Sequence, residues 1–152
     1  MQGDLTFQDN RLPHARQTKH VEHFRFTASD SRGRDVAIDA HMDGKGAKPS
    51  DLLPISLAAC TAYDIVNVLH KQRQDLQELE ARMESVQDAD PPWRFRKIAV
   101  KYIARGKVDP AKAKKALALS EEKYCSISAT LRPVVDLTFE IEVEAEGASA
   151  EE

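Results

Sequence analysis

The chain has no basic block, no internal repeat and no low-complexity stretch. Lys and Arg number 22 against 25 Asp and Glu, a formal net charge of −3. A weakly acidic chain without a basic stripe lacks the electrostatic footprint of general nucleic-acid binding. No uninterrupted run of about 18 apolar residues is present, which argues against a membrane span. The opening Met1-Gln2-Gly3-Asp4 lacks a positive segment leading into an apolar one. No signal peptide is expected from it, and the cytoplasm is the expected compartment. No glycine-rich loop stands between a strand and a helix at the spacing that cradles phosphate, which disfavours nucleotide binding. His20 and His23 have no nearby cysteine or third histidine to complete a ligand set, so no metal is expected. Cysteine is scarce, with two in the chain. In a reducing compartment a structural disulfide is disfavoured. Each thiol is then either a small buried hydrophobe or a redox-active group. Their separation in sequence does not decide, because a disulfide needs Cα atoms within about 7 Å.

What is present fits one domain spanning 1–152, with 41% hydrophobic and 31% charged residues. Residues 1–20 are polar and broken by Gly3, Asn10 and Pro13, which reads as a loose N-terminal arm. Phe24, Phe26 and Ala28 alternate with Arg25 and Thr27. After Asp30-Ser31 and Gly33, Val36, Ile38 and Ala40 alternate again, so a hairpin is expected. Gly44 and Gly46 mark a loop.

From Pro49-Ser50-Asp51, which offers a capping side chain, the pattern becomes a long apolar helix. Its polar positions, Ser56, Thr61, Asp64 and Asn67, are too scattered for a wide wet face, so it should be buried on nearly all sides. His70-Lys71-Gln72-Arg73 suit its negative end.

Two alternating segments follow, around Leu79–Met83 and Ile98–Tyr102. Asp109-Pro110 then opens a helix that ends near Tyr124-Cys125, with a further short helix at Ser126–Leu131. Val135, Leu137, Phe139, Ile141 and Val143 alternate with Asp136, Thr138, Glu140 and Glu142 in a half-buried strand. Residues 147–152 read as a disordered tail. The expected class is α+β, with an antiparallel sheet and a long buried central helix.

The run Pro49-Ser50-Asp51-Leu52-Leu53 with Ala58-Ala59-Cys60-Thr61-Ala62-Tyr63-Asp64-Ile65-Val66 resembles the core signature of the OsmC/Ohr family. Leu119-Ser120-Glu121-Glu122-Lys123-Tyr124-Cys125-Ser126-Ile127-Ser128 resembles that family's second cysteine motif. The likeness spans roughly residues 24–143 and is nearest to the YhfA-like branch. It implies a thiol-dependent peroxidase that reduces organic hydroperoxides, built as an intertwined homodimer with active sites at the interface. It implies no metal, haem or flavin; the recycling reductant is an external dithiol, a lipoyl dithiol by the family's example. Carried over, Cys60 is the peroxidatic cysteine and Cys125 the resolving one.

The same resemblance implies an arginine from the N-terminal hairpin that favours the thiolate, held by an acidic residue just before the helix. Arg25 is the arginine on the best-aligned strand, with Arg16 as runner-up. The acidic residue is Asp51, which serves equally as a charge matched to the helix N-terminus. The chain departs from the family in having Ser50 where the better-studied branch has Glu, and Ser126 where proline is frequent. A non-catalytic relative that keeps the fold and binds a hydrophobic ligand at the dimer interface is the alternative.

Overall fold

The computed structural model describes residues 17–41 and 43–144. The runner-up Arg16, most of the expected arm and the tail at 147–152 lie outside the described residues. The contacts divide the chain into two compact units, Met1–Leu52 and Leu53–Glu152.

The first unit is a three-stranded antiparallel sheet in the order β1-β2-β3, with β1 at Gln17–Glu22, β2 at Arg25–Ser29 and β3 at Asp35–Asp39. The expected hairpin is β2–β3, paired from Arg25 opposite Asp39 to Ser29 opposite Asp35. Residues 17–20, read from sequence as part of the loose arm, instead pair with β2. Their side chains are polar and exposed, so no apolar alternation announced them. The glycine loop folds back onto β3, where Ala47 bridges Ile38. A Cβ at Gly46 would stand 2.7 Å from the Asp39 backbone nitrogen, and one at Gly44 2.3 Å from the Asp39 side chain. Glycine is required at both places by close approach.

A 3-10 turn at Pro49–Asp51 leads into α1, Leu52–Lys71. Ser50 lies inside this turn rather than before it. The preceding residue is Lys48, and no side chain caps the turn. Pro54 is buried in the first turn of α1, where its missing N–H has no intrahelical partner to lose. By length and composition the segment Pro49–Lys71 would also suit a membrane span, which the absence of an uninterrupted apolar run had not suggested.

In the second unit α1 lies on a sheet of order β4-β5-β6. The strands are β4 at Asp75–Gln87, β5 at Phe95–Lys107 and β6 at Asp136–Glu144. Leu57, Ala58, Thr61, Ile65 and Leu69 form the buried stripe of α1, at helical spacing. Of these, Leu57, Ala58, Ile65 and Leu69 share a hydrophobic core with Ile98, Val100 and Tyr102 of β5 and Ala113, Ala116 and Leu117 of α2, Pro110–Leu119. Complete burial of Leu57, Ile65 and Leu69 contributes about 1.5–3 kcal/mol each.

Two expectations need correction here. The sheet is not wholly antiparallel: β4 and β5 are antiparallel, but β6 runs parallel to β5, from Lys97 opposite Asp136 to Arg105 opposite Glu144. The segment between β5 and β6 holds α2 and α3, a crossover long enough to bring the chain back in the same direction. And α1 is two-sided in this chain: Ile55, Val66 and Tyr63, the last 71% exposed, lie off the buried stripe.

Asp109 caps α2 as its sequence proposed, accepting from the N–H groups of Ala111 and Lys112, with Pro110 next. Gly106, at φ +128°, sits opposite a bulge in β4 where any Cβ would meet the Asp75 carbonyl oxygen at 2.2 Å. On the outer face of the sheet Arg105 ties all three strands together, pairing with Glu78 and Glu80 of β4 and Glu144 of β6.

Candidate active site

Cys60 stands near the middle of α1, beside the buried stripe and partly accessible. Cys125 is buried, 3% exposed, between a π-helical turn at Ser120–Tyr124 and α3, Ser126–Leu131. The fold brings these distant residues close enough for the Cys125 thiol to influence the ionisation of Cys60, with both thiols free.

The short helix α3 serves both sulfurs. The Ser128 N–H donates to Cys125 Sγ at 3.3 Å, which makes Cys125 the N-cap. The Ile127 N–H lies near Cys60 and favours its ionised form. Two of the donors that every helix start leaves unpaired are used in this way.

The electrostatics of Cys60 run against ionisation within this unit. Burial is the largest influence and pushes the thiol above its ordinary value; the Cys125 thiol adds to that. The Ile127 N–H pulls the other way, and the negative charges of Cys125 and Asp64 push up again. None of these groups is cationic.

Beneath the pair lies Tyr102 of β5, fully buried, whose hydroxyl donates to the Ala58 carbonyl at 2.9 Å. Burial pushes its pKa far above the ordinary tyrosine value, so it is a neutral donor throughout the physiological range. Asp64, one helical turn beyond Cys60, accepts from Ser120 Oγ at 2.7 Å. Arg132 binds Glu121 and Ser128 Oγ, both at 3.3 Å, linking the π turn to α3.

Arg25 and Asp51 belong to the first unit. Arg25 does not meet Asp51 there: its ion-pair partners are Glu22 and Asp39. Asp39, 7% exposed, also accepts from the His41 N–H at 2.9 Å. Arg25, Asp39 and His41 line a cavity of about 630 Å³ with His23, Phe24 and Lys45. Asp51 is exposed and pairs with Lys48 at 3.9 Å. Of the apolar residues near Cys60 in the sequence of α1, Ile55 and Tyr63 are exposed, whereas Leu57 is wholly buried. His20 bonds the backbone oxygen of His23, and among the described residues no group of three or more His, Cys, Asp or Glu side chains could hold a metal.

Sequence reasoning passed over Asp39, Asp64 and Ser120. Asp64 carried a usable signal: it is a charged residue four positions after Cys60 in a helix otherwise almost free of charge. Asp39 carried none, since its burial comes from the glycine loop lying over it.

A mixed fold with a cysteine on a central helix and a second cysteine against it defines a class of small two-thiol α+β proteins. The chain belongs to the OsmC family: the model for OsmC-like proteins matches residues 42–149. It is 30% identical to Protein YhfA of Escherichia coli over 130 residues, covering 85% of this chain and 97% of that protein. The crystal structure of a hypothetical protein from Aquifex aeolicus superposes with a TM-score of 0.79 at 28% identity, covering 88% of this chain and 97% of that one. An organic hydroperoxide resistance protein OsmC from Legionella pneumophila shares the fold, with a TM-score of 0.63 at 20% identity and coverage of 88% and 98%.

Proposed function

We propose that this protein is a cysteine-based peroxidase that reduces organic hydroperoxides in the cytoplasm, with hydrogen peroxide as a poorer substrate. The observation that carries the reading is the nearness of Cys60 and Cys125, close enough for one thiol to influence the other. In the first step the Cys60 thiolate attacks the outer peroxide oxygen. The O–O bond breaks, the alkoxide leaves as an alcohol after taking a proton, and Cys60 becomes a sulfenic acid. Cys125 then displaces the hydroxyl as water, forming a disulfide, and an external dithiol reduces that disulfide by exchange. No metal, haem or flavin enters the cycle.

The reading includes a homodimer. Ile55, Tyr63 and Val66 leave an apolar side of α1 open in the single chain, which supports a partner there. The missing cation is assigned to the first unit: Arg25, oriented by Asp39 and Glu22, would favour the thiolate of Cys60. Asp51 would complement the start of α1. The deciding assay is consumption of an organic hydroperoxide by the full chain with a dithiol, comparing wild type with Cys60→Ser.

A second reading rests on the raised Cys60 thiol: a non-catalytic protein that binds a hydrophobic ligand at its dimer interface. The pH dependence of iodoacetamide alkylation separates the two. Only the thiolate reacts, so the rate follows ionisation. With a cation in place, Cys60 alkylates fast by about pH 6, and Arg25→Gln moves that profile to higher pH. An inert Cys60 reacts appreciably only above about pH 8.5 in both proteins.

A further inference from the structure

On the basis of this thiol cycle, we propose that Asp64 and Ser120 are positioning residues that hold Cys125 for attack on oxidised Cys60. Asp64 is otherwise hard to account for. A carboxylate one turn from a peroxidatic cysteine opposes the thiolate that the first step needs. Its geometry gives it another task. Asp64 Oδ2 accepts from Ser120 Oγ at 2.7 Å, and Ser120 is fully buried. Ser120 opens the π turn, and its carbonyl accepts from the Cys125 N–H at 3.0 Å, five residues on. A closed path results: Cys60, one turn of α1, Asp64, Ser120, the bond to Cys125, and the nearness of the two thiols. At the other end Arg132 joins Glu121 of the turn to Ser128 of α3, whose N–H holds Cys125 Sγ. A π turn is a rare geometry, found mostly as a single turn and frequently at functional sites. The tie to α1 supports it where the turn begins.

The step served is the second one. The Cys125 sulfur attacks the sulfenic sulfur of Cys60, the S–S bond forms, the S–O bond breaks, and hydroxide leaves with the Cys125 proton as water. The oxidising equivalent has already come from the hydroperoxide. Attack along the S–O axis depends on placement, and a displacement of about 1 Å can slow such a step about a hundredfold.

The test treats the full-length chain with one equivalent of cumene hydroperoxide and follows disulfide formation by quench and mass analysis. Sulfenic acid is trapped in parallel with dimedone, and Cys60 alkylation is measured against pH. Ser120→Ala should slow disulfide formation by roughly tenfold or more, prolong the sulfenic acid, and leave the Cys60 profile no lower than in wild type. Asp64→Asn keeps a carbonyl acceptor for Ser120, so it should restore near-wild-type disulfide formation while moving the Cys60 profile to lower pH. Asp64→Ala should move the profile in the same direction but form the disulfide slowly. The proposal is overturned if wild type forms the Cys60–Cys125 link and Ser120→Ala and Asp64→Ala form it as fast. If wild type forms no such link, the thiol cycle itself fails, and this role with it.

Discussion

Replacing Cys60 with serine is expected to bring hydroperoxide turnover down to the rate of buffer and dithiol alone, a loss of roughly a thousandfold or more, because in the proposed cycle the Cys60 thiolate is the group that takes the peroxide oxygen. A serine hydroxyl is not oxidised to an equivalent of sulfenic acid. The substitution is otherwise mild. Serine is close in size and can accept from the nearby Ile127 N–H. Cys125 cannot take over, since it is 3% exposed and its sulfur caps α3. Cys125→Ser should fail differently. One equivalent of alcohol should appear, followed by a stall at the Cys60 sulfenic acid, seen as a dimedone adduct. Retention of full turnover by Cys60→Ser would remove the mechanism.

The second large effect is on stability and falls on Tyr102. Its side chain is completely buried, and its hydroxyl holds a main-chain carbonyl of α1 across the core. Tyr102→Phe keeps the ring but leaves the Ala58 carbonyl without this donor, at a cost of about 1–3 kcal/mol. Tyr102→Ala also empties a ring-sized volume, and about 3–5 kcal/mol is expected. Urea denaturation of both variants beside wild type measures the two losses. Turnover by Tyr102→Phe, under conditions where it remains folded, should stay within a few-fold of wild type, because the tyrosine supports α1 rather than the reacting sulfur. A Tyr102→Phe protein as stable as wild type would show that the bond to Ala58 does not anchor the helix.

The local signals in the sequence were strong where one residue type has one physical use. Asp109-Pro110 marks a helix start by a cap and a missing N–H, and α2 begins there. The break near Tyr124-Cys125 and the short helix after it are where the pattern placed them. The direction of β6 was not legible. Alternation of Leu137, Phe139, Ile141 and Val143 says which face is buried and is identical for parallel and antiparallel partners. The two-sidedness of α1 was hidden for a related reason. An apolar helix surface looks the same in sequence whether it meets its own sheet or is left open for another surface. At the site, the two cysteines were legible through their flanking residues. The Asp64–Ser120 bond was not, because it joins two polar residues far apart in the chain and follows only from the fold. The expected link between Arg25 and Asp51 gave way to Asp39, which the glycine loop buries beside the arginine.

The central claim is that Cys60 and Cys125 act as one redox pair. The direct measurement is a peptide map without reductant after one equivalent of an organic hydroperoxide. The thiol cycle predicts one new species, lighter than the starting chain by two hydrogens, in which the Cys60 and Cys125 peptides are joined. Recovery of both peptides as free thiols, or Cys60 oxidised further with Cys125 unlinked, would contradict it.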